Sequence, residues 1–191
     1  MKKIVYLFLA LGFLTALSAS AQQKIVTFSM RDSMQKYYKA ISFAERLESR
    51  NAALEEEIKV KGTGLQAKYD AMNARFGEIS ENPGLTDEAK KTQVKALDPE
   101  VQALEKEKAA FEKWRSESIQ TLRGEAANTQ GEIIKEIRKV ATAVALEQGA
   151  TIVLDSSEPA GVGAPVVLYA DPRLEITDLV LRELNKNAPN N

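Results

Sequence analysis

The chain has 191 residues, of which 26 are lysine or arginine and 27 are aspartate or glutamate, and it contains neither cysteine nor histidine. This near-balance of charge gives no indication of a nucleic-acid partner. The missing residue types exclude disulfide bonds, the usual zinc sites and histidine-based catalytic triads, so the composition argues against most hydrolases and metalloenzymes.

The first residues have the pattern of a secretory signal peptide. A basic start, Lys2-Lys3, precedes an apolar run of 14 residues, 4–17, and Ala19-Ser20-Ala21 forms a small-residue cleavage pattern. The alternative is a retained membrane anchor, but the run is shorter than the roughly 20 residues that span a bilayer. We therefore expect residues 1–21 to be removed. Because Gln22 rather than cysteine follows the cleavage point, we expect a soluble exported protein without a lipid anchor.

The next segments predict one strand and one long helix. Residues 24–30, Lys-Ile-Val-Thr-Phe-Ser-Met, form a short apolar run that is typical of a strand. From about Arg31, apolar or tolerated residues recur at the spacing of a coiled-coil seam. The predicted seam consists of Tyr37, Ile41, Ala44, Leu47, Asn51, Leu54, Ile58, Leu65, Tyr69, Met72, Phe76 and Ile79.

A turn separates this helix from a second one. Asn82-Pro83-Gly84 is strong turn chemistry, and Thr86 can cap a helix whose first turn contains two acidic residues. The second apolar series continues to Gln148-Gly149, where glycine is a usual helix end. Together the two helices predict an antiparallel hairpin over residues 31–149, with its tip near 81–86 and each side about 65–70 Å long.

The turn also predicts a register, in which each residue i faces roughly residue 165 − i of the other helix. This register places Trp114 opposite Asn51, and Pro99 roughly opposite residue 66. Gly62 and Gly64 weaken the ascending helix and Pro99 interrupts the descending one, so the register brings these faults to one height. We expect a hinge at this joint. The alternative is a fixed bend.

Two short apolar runs follow the hairpin, and both predict strands. They are Ile152–Leu154 and Val166–Tyr169, joined by a loop rich in glycine and proline. The loop around Gly161-Val162-Gly163 lacks the spacing of a phosphate-binding turn. Because a hairpin returns the chain close to where it left, we expect both strands to form one small sheet with Ile25–Phe28.

The C-terminal segment predicts an amphipathic helix with Ile176, Leu179, Val180 and Leu184 on one face, followed by a polar tail that begins at Asn185 and frays. The fold class is therefore α+β. A long antiparallel helical hairpin, with the character of a coiled-coil tentacle, projects from a small β-sheet body that carries a C-terminal helix.

The predicted body comprises residues 22–30 and 150–191, which is near the lower size limit for independent folding. Apolar sheet edges invite pairing with another chain, so we expect this body to be an oligomerisation domain. The residues expected at the interface between chains are Ile25, Val26, Phe28, Ile152, Val153, Leu154, Val166, Val167, Leu168, Leu179, Val180 and Leu184.

The order of these elements resembles the Skp/OmpH family of periplasmic chaperones, over essentially the whole chain after the signal peptide. The most specific likeness lies at the end, where Thr151–Asp155, Val166–Asp171 and Glu175-Ile176-Thr177 are similar to that family's two closing strands and helix start. Glu175 stands where the family usually has aspartate. The resemblance implies a homotrimer whose three arms surround a cavity. It also implies that this cavity holds unfolded outer-membrane β-barrel proteins in the periplasm, without ATP or another cofactor.

The net charge of the chain after the signal peptide differs from that of this family. Its well-known members are strongly basic, whereas residues 22–191 contain 24 basic and 27 acidic side chains, since Lys2 and Lys3 leave with the signal peptide. The family implies work close to the membrane, but no strong basic patch predicts a site for lipopolysaccharide or phospholipid headgroups.

The alternative function is a structural coiled-coil spacer or adaptor of the cell envelope, and the composition disfavours an enzyme. An adaptor of the secretion-pump type would need longer β segments on both sides of the hairpin than this chain has. For the chaperone, the candidate client-binding side chains are Tyr69, Met72, Phe76, Ile79 and Trp114. The alternative role of these side chains is to pack the two helices together.

Overall fold

The computed structural model describes residues 23–157, 163 and 165–189. The predicted signal peptide and most of the predicted loop around residues 161–163 lie outside this range. The elements, in chain order, are β1 (Ile25–Phe28), α1 (Met30–Lys36), α2 (Tyr38–Glu81), α3 (Asp87–Ala96), α4 (Asp98–Glu147), β2 (Ile152–Asp155), a 3-10 turn (Pro172–Leu174) and α5 (Thr177–Asn185). None of the helices in the described part of the chain combines the length and apolar character that a membrane span requires.

The described residues form two compact units. Residues 23–40 and 133–189 make up the first unit, which we call the body. Residues 41–132 make up the second unit, which we call the arm. The prediction of a long helical hairpin together with a small sheet and a C-terminal helix is confirmed.

The sheet of the body is built around β1. On one side β1 pairs with β2 in parallel, in a register that runs from Ile25 opposite Ile152 to Phe28 opposite Asp155. On its other side Thr27 forms an isolated parallel bridge with Glu175, and the backbone N–H of Ile176 donates to the carbonyl of Thr27 at 2.9 Å. Both edges of β1 are therefore occupied within one chain.

The prediction of a third strand at Val166–Tyr169 is wrong for the single chain, which has a two-stranded sheet in its described part. The side chains of Val166, Leu168 and Tyr169 are 88%, 85% and 83% exposed. The physical reason is the occupied second edge of β1, which Glu175 and its neighbour have taken. Only the outer edge of β2 remains open to a further strand.

Helix α5 and the last turns of α4 cover this sheet with an apolar core. Val180 and Ile137 are completely buried, and Tyr37 is 1% exposed. Val26 and Phe28 contribute the inward side chains of β1. Full burial of one such aliphatic or aromatic side chain stabilises a fold by about 1.5–3 kcal/mol. These buried side chains therefore contribute substantially to the stability of the body.

Asn185 joins the C-terminal helix to a break in the first long helical segment. Tyr37 has extended backbone angles and separates α1 from α2, which leaves the carbonyl of Lys36 and the N–H of Tyr38 without helical partners. The side-chain amide of Asn185 donates to that carbonyl and accepts from that N–H, both at 3.0 Å. The expectation that the chain frays from Asn185 onwards is therefore wrong at this residue.

The carboxylate of Glu175 links three segments of the body through hydrogen bonds. Its Oε2 accepts hydrogen bonds from the hydroxyls of Thr27 and Ser156, both at 3.0 Å. Its Oε1 accepts from the backbone N–H of Thr177 at 3.1 Å and from the hydroxyl of Thr177. Partial burial acts to raise the pKa of Glu175, but these hydrogen bonds outweigh it and hold the pKa below its usual value.

The arm is an antiparallel pair of helices with the predicted tip. Helix α2 ends at Glu81, and the Thr86 side chain caps α3 by accepting from the N–H of Ala89 at 3.3 Å. Along α2 the half-buried residues recur every three or four positions, which confirms the seam over most of its length. Those in the seam are Phe43, Leu47, Leu54, Ile58, Gly62, Leu65, Tyr69, Met72, Phe76 and Ile79; Tyr38 and Gly77 are half-buried as well. Ile41, Ala44 and Asn51, which the prediction included, are exposed.

The predicted register of the hairpin is wrong by about ten residues. Arg50 pairs with Glu125, Lys68 with Glu107 and Arg75 with Glu100, so the numbers of paired residues add up to 175 instead of 165. Two features move the register. Residues 82–86 separate the two helices, and the descending helix is interrupted again at Leu97, between α3 and α4.

The corrected register separates the faults that suggested a hinge. Gly62 lies beside Phe111, whereas Pro99 precedes Glu100, the partner of Arg75. Gly62 and Arg75 are thirteen positions apart on α2, or about 20 Å. Helix α2 also continues without a break through both Gly62 and Gly64. The glycines of α2 and Pro99 of α4 therefore do not lie side by side, and the premise of the predicted hinge is wrong. Each of these helix-weakening sites lies opposite an uninterrupted stretch of the partner helix.

Replacing Asn185 by alanine should lower the free energy of unfolding by about 2 kcal/mol, because two backbone groups at the helix break lose their partners. Chemical denaturation followed by circular dichroism measures the change. Asn187→Ala is the matched control, because that residue lies beyond the end of α5. An effect of equal size in both variants would contradict this role of Asn185.

Replacing Glu175 by glutamine should destabilise the body by about 1 kcal/mol at pH 7, after allowance for solvent screening. The pKa of Glu175 is lowered in the folded state. The stability that its carboxylate contributes is therefore present above the unfolded pKa, about 4.3, and is lost as the pH falls through the lowered folded value. The difference between wild type and Glu175→Gln should shrink when unfolding is measured at pH 3. A difference that does not depend on pH would refute this explanation.

Candidate functional site

One face of the arm carries a row of four depressions between α2 and α4. From residue 43 towards the tip, their volumes are about 560, 440, 410 and 330 Å³. Neighbouring depressions share residues: Arg50 and Leu122 belong to the first and second, Trp114 to the second and third, and Lys68 to the third and fourth. The row is thus one continuous groove, which we call the arm groove.

The arm groove is long and shallow. Its lining on α2 begins at Phe43 and ends at Arg75, a span of about 48 Å. The lining mixes apolar residues such as Leu54, Leu65 and Met72 with the charged residues at its borders. Such a surface offers many small contacts along an extended partner.

Three ion pairs cross the groove and share one polarity. Arg50, Lys68 and Arg75 come from α2, and their acidic partners Glu125, Glu107 and Glu100 come from α4. The hydrogen bond from Arg75 holds the pKa of Glu100 below its usual value. Each pair is solvent-exposed and contributes little to stability by itself. Because all three require the same alignment, together they favour one register of the two helices.

Aromatic side chains lie at the middle of the groove. The rings of Phe111 and Trp114 stack with centroids 6.1 Å apart, and the ammonium of Lys61 stands 4.9 Å from the centre of the Trp114 ring. Closer to the tip, the hydroxyl of Tyr69 donates to Glu105 at 2.9 Å, and Lys108 lies 5.6 Å from its ring. These groups combine an apolar surface with a cationic border.

The predicted client-binding residues are distributed over this surface. Met72 lines the fourth depression, and Trp114 lines the second and third. Tyr69, Phe76 and Ile79 are half-buried in the helical seam. The predicted position of Trp114 opposite Asn51 is wrong, because Trp114 faces Lys61. Gly64 lines the third depression, whereas the sequence analysis placed it only at the predicted hinge, because its low helix propensity was the only signal it carried.

A second exposed apolar surface lies on the body. On β2, Ile152, Val153 and Leu154 are 39%, 37% and 37% exposed, and Val166 and Leu168 are almost fully exposed. Among the other residues predicted at the interface, Ile25 is also exposed, and Val167 and Leu179 are half-buried. The structure buries the remaining four inside the single-chain core, namely Val26, Phe28, Val180 and Leu184.

Comparisons with known proteins give one family and one fold. A family model described as outer membrane protein (OmpH-like) matches residues 24–184. Among solved structures, the chain is similar to a candidate outer membrane chaperone (OmpH-like) from Caulobacter crescentus, with a TM-score of 0.65 and 16% sequence identity. That match covers 86% of this chain and 85% of the other. No curated protein matches the sequence.

Proposed function

Because the chain belongs to the OmpH-like outer membrane protein family, we propose that it is a periplasmic holdase chaperone, which keeps unfolded outer-membrane β-barrel proteins soluble without ATP. The arm groove is the observation that carries this proposal. It offers apolar surface to an unfolded chain and surrounds that surface with charges that keep the chaperone itself in solution.

The dimensions of the groove suit an extended polypeptide. An extended chain rises about 3.3 Å per residue, so a groove of about 48 Å accommodates roughly 14 residues. Each depression contributes a small apolar contact, and no single contact fixes the sequence of the partner. Binding of this kind tolerates many different clients and remains reversible, so release needs no nucleotide.

Assembly into a homotrimer makes such weak contacts sufficient. The outer edge of β2 and the segment Val166–Tyr169 are the exposed apolar parts of the body, and an exposed strand edge is a template for pairing with another chain. We infer that Val166–Tyr169 becomes a strand only when it pairs with an edge in the assembled protein. Three linked arms then bind one client with an avidity that far exceeds the affinity of one arm.

The assembly is tested by Val153→Asp, which places a charge on the open strand edge. Size exclusion coupled to light scattering should show about three chain masses for the wild type and one for the variant, because burying an unpaired charge at an interface is costly. Val60→Asp is the matched control, since Val60 is 61% exposed on the arm. A wild type that stays monomeric at micromolar concentration would refute the trimer.

The holding activity is tested by diluting a urea-unfolded β-barrel protein into buffer with or without the chaperone. We expect the protein to suppress light scattering at about one trimer per client, and we expect Val153→Asp to lose most of this effect because it loses avidity. A structural spacer would leave the scattering unchanged in every case. That outcome would overturn the chaperone proposal and favour the alternative.

A further inference from the structure

The third depression of the arm groove is lined at one position, Gly64, by a residue without a side chain. A Cβ atom built on Gly64 meets nothing within 4 Å, whereas one built on the nearby Gly62 lies 3.7 Å from the Phe111 ring. Gly64 lies in the interior of α2, where glycine is among the least favourable residues for a helix. The space beside it is therefore open to an incoming side chain.

Small and aromatic residues enclose this space, which we call the Gly64 socket. Gly64 and Leu65 line it from α2, and Ala110, Phe111 and Trp114 line it from α4. Its volume is about 410 Å³, which is within the range of small-ligand sites. Gly64 and Ala110 leave room between the two helices, and the aromatic rings provide flat apolar walls.

We propose that the Gly64 socket receives an aromatic side chain of an extended client segment, an inference that rests on the proposed holding function. The aromatic walls of the socket favour an aromatic partner. Aromatic rings gain from stacked or edge-to-face contact with other rings beyond the burial of apolar area, and Phe111 and Trp114 form a stacked pair at this site.

The charged residues at the border of the socket form ion pairs. Its lining includes Lys61, Lys68 and Glu107. Lys68 pairs with Glu107, and the ammonium of Lys61 lies 3.5 Å from a carboxylate oxygen of Glu57. Ammonium groups are attracted to the negative face of an aromatic ring, and Lys61 already makes such a contact with Trp114. An incoming ring gains contact with Phe111 and Trp114 beyond its burial, whereas an aliphatic side chain of similar size gains only burial. The socket should accordingly select aromatic over aliphatic side chains.

The inference is tested directly through Trp114, the only tryptophan of the chain. The indole N–H resonance of the protein is followed by NMR during titration with N-acetyl-phenylalanine amide, N-acetyl-leucine amide and N-acetyl-alanine amide. We expect a saturable shift with the phenylalanine probe, about threefold weaker binding of the leucine probe and no saturation with alanine. A shift that does not saturate, or equal binding of phenylalanine and leucine, would overturn the proposal.

An added Cβ at Gly64 meets nothing within 4 Å, so Gly64→Leu should place a side chain in the socket and favour the helix, and the variant should melt at or above the wild-type temperature. It should weaken binding of the phenylalanine probe at least about tenfold. Gly77→Leu is the matched control, because Gly77 lies on the same helix and a Cβ there also meets nothing within 4 Å. That control should bind the probe as the wild type does, and an equal loss in both variants would overturn the assignment.

The light-scattering assay separates this inference from the proposed function. If wild type, Gly64→Leu and Gly77→Leu all fail to keep the client soluble, the holding function is refuted, while the NMR titration still decides whether the socket binds aromatic side chains. If Gly64→Leu no longer binds the probe but holds an aromatic-rich client as well as the wild type does, client binding at the socket is refuted. A selective loss of holding in Gly64→Leu supports both proposals.

Discussion

The parallel pairing of β1 with β2 is the interaction on which the rest of the structure depends. It joins segments that are far apart in sequence, as in the hydrogen bond from Thr151 to Lys24 across 127 residues. Closing so long a loop costs conformational entropy, although that cost rises only slowly with length. The two helices of the arm reduce it further, because a helical hairpin is ordered by its own local contacts and returns the chain to its starting point.

Polar side chains add to the stability that the two-stranded sheet gives the body. A sheet of two short strands is marginal by itself in water. Glu175 occupies the second edge of β1 and accepts hydrogen bonds from Ser156 and Thr177. Asn185 forms hydrogen bonds with the two backbone groups that the helix break at Tyr37 leaves without helical partners. These contacts bring α5 onto the sheet in a single orientation. They also explain why the edge left open is the outer edge of β2, which is where the proposed assembly takes place.

In the arm, the interactions that fix the register also shape the groove. The ion pairs that align α2 with α4 also line the depressions, and Lys68 and Glu107 belong both to the helix pairing and to two neighbouring depressions. Glycine at position 64 lowers the stability of α2, but its missing side chain leaves apolar surface of the groove accessible. The proposed function therefore depends on incomplete packing along the seam, since a fully packed hairpin would have no groove.

Sequence alone was sufficient where local chemistry decides the structure. The strand at Ile25–Phe28, the turn before Thr86, the heptad pattern of the long helix and the amphipathic C-terminal helix were all predictable, because each depends on residues that are neighbours in the chain. Tertiary structure decided which of these elements meet. The register of the hairpin shifted by about ten residues, Glu175 took the second edge of β1 while Val166–Tyr169 stayed outside the sheet, and Gly64 proved to line a depression beside Phe111 and Trp114. In each case the outcome depends on a competition between distant partners for the same edge or face, and a pattern within one segment carries no information about its competitors.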